Sequence, residues 1–167
     1  MPHDHPCPGC AAPDAFARHD HAQCTSAALA HADAMVGPTR LTAVRRRALE
    51  ILLEGHRAMG AYDVLQRLAA EGFGHQPPVA YRALEFLVDQ GLVHRIRRLN
   101  AFAACMHPGE DHAPAFLICD SCHTVAEAPA TPLRRALDET AATLGFAIDT
   151  AHLEATGQCA ACRGAAE

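Results

Sequence analysis

Two C-x-x-C pairs carry the clearest chemistry in this chain: Cys119-Asp120-Ser121-Cys122 and Cys159-Ala160-Ala161-Cys162, with one helix-length stretch and more between them. The first is followed by His123, so the local string is C-x-x-C-H. Three chemistries fit it: covalent haem attachment, a redox dithiol, or half of a zinc site. The amino terminus, MPHDHPCPGC, has neither a positive n-region nor an apolar h-region and does not read as a secretory signal. A cytoplasmic location with reduced thiols is therefore expected, and there paired cysteine spacings mean metal or redox chemistry more often than disulfides. That location also disfavours the haem reading. Two knuckles together supply four thiolates, which is a complete tetrahedral set for a structural zinc ion with no open position for chemistry. Their wide separation means that the ion ties distant segments together. Such a site contributes on the order of 10 kcal/mol. A thioredoxin-like dithiol remains the alternative, although no βαβ pattern surrounds either pair. A zinc deaminase does not fit: only four residues separate His152-Leu153-Glu154 from Cys159, and Gln158 stands where proline is expected.

A second set is less regular. His94, Cys105, His112 and Glu127 bring two nitrogens, a sulfur and an oxygen to the middle of the chain. Taken singly, each has a plainer reading, since a lone histidine is usually a surface residue and a cysteine often a small buried apolar group. Together they form a candidate mixed site. One thiolate, one carboxylate and two neutral imidazoles sum to zero charge with a divalent ion, whereas without it two anions face each other. Occupancy is then reversible and pH-dependent.

The elements that must position these residues are legible from periodicity and punctuation. The 167 residues suffice for one ordinary domain or two small ones. No run of about 18 apolar residues is present to span a bilayer. The net charge of −5 argues against nucleic acid until its distribution is considered. Residues 38–98 hold ten of the fourteen arginines and are net positive, while the segments on either side are acidic. A basic module inside an acidic protein is the footprint of nucleic-acid binding, and equally of a solvated helical surface. In that module "LTAVRRRALEILLEG" puts Val44, Ala48, Ile51 and Leu52 on one helical face, with Thr42 as N-cap. "AYDVLQRLAAEG" and "PPVAYRALEFLVDQG" give two more helices joined by a tight turn. "LVHRIRRLNAFAAC" reads as a hairpin around residues 98–100. Helix, helix-turn-helix and hairpin make a winged helix. An Ala-rich helix is expected over residues 25–35. Beyond Cys105, "AFLICD", "HTVAEA" and "AIDTAHLEATG" read as strands, with "TPLRRALDETAATLGF" a helix capped by Thr131. The expectation is an α+β chain in three segments: an extension over 1–37, a winged helix-turn-helix DNA-binding domain over 38–99, and a small α/β domain with a four-cysteine zinc site over 100–167.

With these motifs assembled, the chain resembles the ferric uptake regulator family and most closely its zinc-sensing branch. "RLTAVRRRALEIL", "AYDVLQRL", "PPVAYRALEFLVDQGLVHR", "FLICDSCHTVAEA" and "GQCAAC" follow in family order over residues 40–162. The resemblance implies a homodimeric repressor, not an enzyme, that binds pseudo-palindromic double-stranded operator DNA through the winged helix and dimerises through the C-terminal domain. It implies two zinc ions per protomer: a structural one on Cys119, Cys122, Cys159 and Cys162, and a regulatory one on His94, Cys105, His112 and Glu127. Tyr81 and Arg82 match the recognition-helix pair, and Tyr62 a tyrosine at the start of the preceding helix. Arginine reads guanine by a bidentate contact, and tyrosine suits phosphate or a thymine methyl. Neither a membrane nor a small-molecule substrate is implied. Other branches of the family sense iron, manganese or peroxide, but the soft donor Cys105 favours zinc.

Three features depart from the family pattern. Val79-Ala80 stand where Thr-Val usually precedes Tyr-Arg, which removes a hydroxyl from the start of the recognition helix. The loop from Cys105 to His112 is one residue short, which makes His107 an alternative ligand to His112. The His- and Cys-rich first residues match nothing in the family core and read as a polar tail or a zinc-collecting arm.

Overall fold

The structure is a computed structural model that describes residues 22–37, 40–55, 57–106, 108 and 114–164. The N-terminal tail, His107 and His112 lie outside the described residues. The element order is α1 (Ala22–Val36), α2 (Ala43–Leu53), β1 (Met59–Gly60), α3 (Ala61–Ala70), α4 (Pro77–Asp89), β2 (Val93–Ile96), β3 (Ala101–Ala104), β4 (Ala115–Cys119), β5 (Val125–Ala128), α5 (Thr131–Thr143), β6 (Leu153–Gly157) and α6 (Ala160–Gly164).

The first module is the expected winged helix. Its apolar stripes converge: Leu49 and Leu52 from α2, Leu68 from α3, and Leu84 and Leu87 from α4 are all nearly inaccessible. Each such leucine contributes about 1.5 to 3 kcal/mol by leaving water. Pro77 and Pro78 start α4, where a missing N–H costs nothing, and Gly91 with φ +68° stops it. Thr42 precedes α2 as expected but makes no side-chain cap bond. The hairpin β2–β3 is antiparallel, and the two-residue β1 adds a third strand beside β3. So short a strand carries no periodicity and could not be read from the sequence. α1 joins the same core through Ala32 and Val36, and Asp33 pairs with Arg46 of α2.

The second sheet has the order β5-β4-β6, antiparallel between β4 and β5 and parallel between β4 and β6. The long strand expected over residues 147–157 begins only at Leu153, and α5 starts at Thr131 with Ala130 in the cap position. β4 alternates: Phe116 and Ile118 face one side, and Leu117 the other. The Phe116 side packs with Val125 against Ile96, Ala103 and Leu99 of the wing hairpin, forming a separate small core. The winged helix therefore rests on the second sheet through the back of its wing. On the opposite side Ala115, Cys119 and Ala126 are buried, but Leu117 is exposed. In α5 only Ala141 is buried, and Leu133, Leu137, Leu144 and Phe146 remain exposed.

Candidate metal centres and nucleic-acid face

β4 ends at Cys119, and a turn follows in which the His123 amide donates to the Cys119 carbonyl at 2.9 Å. His123 sits at φ +58°. A left-handed residue is what lets the chain reverse so tightly, and histidine tolerates it better than most. The histidine of C-x-x-C-H is thus an exposed turn residue. β6 runs parallel to β4 with Gly157 paired to Cys119, so Cys159, two residues on, arrives beside the first knuckle. One turn of α6 then returns Cys162, with the Arg163 amide bonded to the Cys159 carbonyl.

All four sulfurs lie within 4.8 Å of one another, and Cys122 Sγ is 3.9 Å from Cys159 Sγ. Tetrahedral zinc with bonds of about 2.3 Å separates its sulfurs by about 3.8 Å, so the cluster fits the ion. The four thiols are not disulfide-bonded. Their environment also favours thiolates unevenly. The Cys159 amide, 3.4 Å from Cys119 Sγ, and the Cys122 amide bring the Cys119 pKa down to about 6. The Thr124 hydroxyl lowers that of Cys122. Cys162, hydrogen-bonded to Cys159 and Cys119, is pushed up to about 12. Four thiolates cannot share this space without a cation to offset their repulsion.

The second cluster bridges the two sheets. His94 is in β2, Cys105 follows β3, and Glu127 is in β5; their ligand atoms also lie within 4.8 Å of one another. His94 Nε2 is 3.4 Å from Glu127 Oε1, close to the roughly 3.3 Å that ligands of one tetrahedral zinc ion subtend. The surroundings hold these groups in place. The Met106 amide donates to Glu127 Oε1 at 3.0 Å, the Cys105 amide to the Leu92 carbonyl at 2.9 Å, and the Phe116 ring packs on the His94 ring at 5.3 Å. Such outer contacts orient ligands. A fourth ligand from His112 or His107 falls outside the described residues.

Tyr62, at the start of α3, and Tyr81, in α4, meet edge to face at 6.4 Å and 89°. They are 62% and 37% exposed, an aromatic pair presented to solvent on the helix-turn-helix surface. Arg82 is exposed beside them and lines an open groove with Thr42, Arg45, Gln76 and Val79. Arg45 stacks over Phe86 with its guanidinium carbon 3.6 Å from the ring centroid. Not all of the positive charge read from the sequence is turned outward. Arg47 bonds both oxygens of Glu71 at 2.6 and 2.7 Å and also reaches Glu50 and Glu54. Arg67 pairs with Glu54. Charge counting could not separate these internally neutralised arginines from the ones at the groove, because two of the partners, Glu71 for Arg47 and Glu54 for Arg67, come from other elements.

A winged helix joined to a second sheet through a mixed-donor cluster, with a thiolate cluster closing that sheet, defines a metalloregulator class of fold. No family model matches the chain. It is 37% identical over 124 residues to the zinc uptake regulation protein of Escherichia coli (strain K12), an alignment covering 74% of this chain and 72% of that one. A solved zinc uptake regulator complexed with zinc and DNA superposes with a TM-score of 0.76 at 35% identity, covering 85% of this chain and 97% of that one. The crystal structure of holo XcZur gives 0.71 at 34% identity, covering 84% and 99%. The chain belongs to the zinc uptake regulator family.

Proposed function

We propose that this chain is a cytoplasmic, zinc-responsive transcriptional repressor that binds pseudo-palindromic operator DNA as a homodimer and restrains zinc-acquisition genes. The observation that carries the reading is the mixed cluster, whose donors come from the wing strand (His94), the junction (Cys105) and the second sheet (Glu127). A ligand held there joins the two modules. Two zinc ions per protomer follow, a structural one on Cys119, Cys122, Cys159 and Cys162 and a regulatory one on His94, Cys105, Glu127 and either His112 or His107. Bound zinc supplies the attraction that offsets the repulsion between the Cys105 and Glu127 anions. The rest is done by the chain. His94 lies three residues after Gly91, which ends α4, so holding His94 against Glu127 also holds the recognition helix against the second sheet. A defined orientation lets both winged helices of a dimer meet successive major grooves, whereas a loose one does not. A shift of about 3 to 5 kcal/mol between these states is enough to switch occupancy.

In this reading Arg82 reads a base edge and Tyr62 and Tyr81 contact phosphate or a thymine methyl. The exposed apolar side chains of Leu133 and Leu137 in α5 and Leu117 in β4 support dimerisation through the C-terminal domain, since the described residues of one chain leave them uncovered. No described helix is long and apolar enough to cross a membrane. The closed thiolate set leaves no position for a substrate, which supports a non-enzymatic role.

The test is operator binding by the purified protein at fixed salt, with zinc titrated against a chelator, for wild type and Cys105→Ser. Binding that appears with about one further zinc per chain beyond the tightly held one, and is lost in the variant, supports the reading. Wild type binding equally with and without that zinc overturns it.

A further inference from the structure

β6 carries a contact to the winged helix that neither metal cluster requires. Glu154 Oε1 accepts a hydrogen bond from the Arg97 amide at 2.8 Å, and its Oε2 accepts one from the Arg98 amide, also at 2.8 Å. Both amides belong to the turn of the wing, which is closed by the Asn100 amide on the Arg97 carbonyl at 3.1 Å, with Asn100 at φ +47°. One carboxylate thus takes two successive backbone N–H groups, a charge-assisted pair of bonds with a fixed direction. Leu99 and Ile96 pack near it against Phe116 and Ile118.

The pairing of the strands connects this contact to both clusters. Phe116 of β4 is paired with Glu127 of β5 on one side and with Glu154 of β6 on the other. Direct partners across a sheet point to the same face. A single cross-strand row therefore presents Glu127 to the mixed cluster, Phe116 to the His94 ring and Glu154 to the wing turn. The register of β6 on β4 is closed at its far end where Gly157 pairs with Cys119, two residues before Cys159.

We propose that Glu154 is a positioning residue for operator binding. Its carboxylate latches the wing to the second sheet, so that the winged helix is held at two points, at Glu127 through the mixed cluster and at Glu154 directly. The inference rests on the DNA-binding reading above. The latch uses only the backbone of Arg97 and Arg98, whose side chains are exposed on the wing. The four-cysteine cluster then has a second consequence, because fixing β6 against β4 keeps Glu154 beneath the wing.

The test uses the full-length, zinc-loaded protein with Glu154→Gln and Glu154→Ala. Three quantities are read: zinc per chain, hydrogen exchange at the Arg97 and Arg98 amides, and operator affinity at fixed salt. Zinc content and cooperative melting should match wild type. Exchange at the two amides should accelerate, fully in the Ala variant and less in Gln, whose one carbonyl oxygen still accepts a bond. Zinc-dependent affinity should fall in the same order, by about tenfold for Ala, within the usual range of coupling between sites. A residue that merely supported β6 would instead release zinc. Unchanged amide exchange, or undiminished operator affinity in Glu154→Ala despite faster exchange, overturns the proposal. Failure of the DNA-binding reading is distinguishable: the wild type would bind no operator with zinc, while the two amides would still report whether the latch exists.

Discussion

The four-cysteine cluster and the mixed cluster both draw on the second sheet but are assembled differently. Cys119 closes one end of β4 and meets Cys159 and Cys162 just after the parallel partner strand, so all four sulfurs sit within one module. Glu127 lies toward the other end, opposite Phe116, and its companions His94 and Cys105 come from the winged helix and its exit. A ligand at the first cluster holds a domain together, whereas a ligand at the second holds two modules in one orientation. Donor chemistry runs in parallel. Four thiolates make a tight, closed set, while one thiolate among nitrogen and oxygen donors binds more weakly and releases more readily. In the proposed reading, stability and responsiveness are thus assigned to opposite ends of the β4–β5 pair.

Breaking the first cluster should have the largest effect. Cys119→Ser or Cys159→Ser should remove a contribution on the order of 10 kcal/mol, sharply lowering the stability of the C-terminal domain, with about one zinc per chain lost. Circular dichroism and metal analysis would read this, and a folded, fully metallated variant would erase the distinction between the clusters. Cys105→Ser should do the opposite, keeping the fold and the tightly held zinc while losing zinc-dependent operator binding.

The arginines sharpen the comparison on the DNA side. Arg82→Ala should cost about 1 to 3 kcal/mol of specific binding and relax preference at one base pair. Arg47→Ala, whose guanidinium is engaged by Glu71, Glu50 and Glu54, should leave operator affinity and its salt dependence unchanged. Filter binding across a salt series would separate the two.

The smallest effect concerns the thiols without metal. With the Cys119 pKa at about 6 in the folded chain against an ordinary 9.0, the folded state binds fewer protons than the unfolded one between those values. Its contribution is present above about pH 9 and is lost as pH falls through about 6. Cys162, pushed to about 12, has the opposite sign but contributes fully everywhere below 9.0. Metal-free protein should therefore gain thermal stability from about pH 6 to 8, as melts in excess chelator would show. A flat profile would mean that the backbone amides around Cys119 do not hold a thiolate.

The amino-acid sequence by itself determined the helices of the winged helix, because apolar spacing of three and four residues, paired prolines and terminal glycines act within a few positions. It also determined the donor inventory, since two C-x-x-C pairs present four thiolates wherever the chain goes. Tertiary structure alone decided what depends on distant segments meeting. The two-residue β1 exists only because β3 lies beside it, and β6 begins only where β4 offers a partner. Arg47 is neutralised by a glutamate twenty-four positions away, and Glu154 reaches amides more than fifty positions back. His123 became a turn residue because its backbone is left-handed, a conformation that the C-x-x-C-H string does not encode. Local periodicity is written in neighbouring residues, but register and long-range pairing arise from the simultaneous burial of two sheets, and that is settled only when the chain has closed on itself.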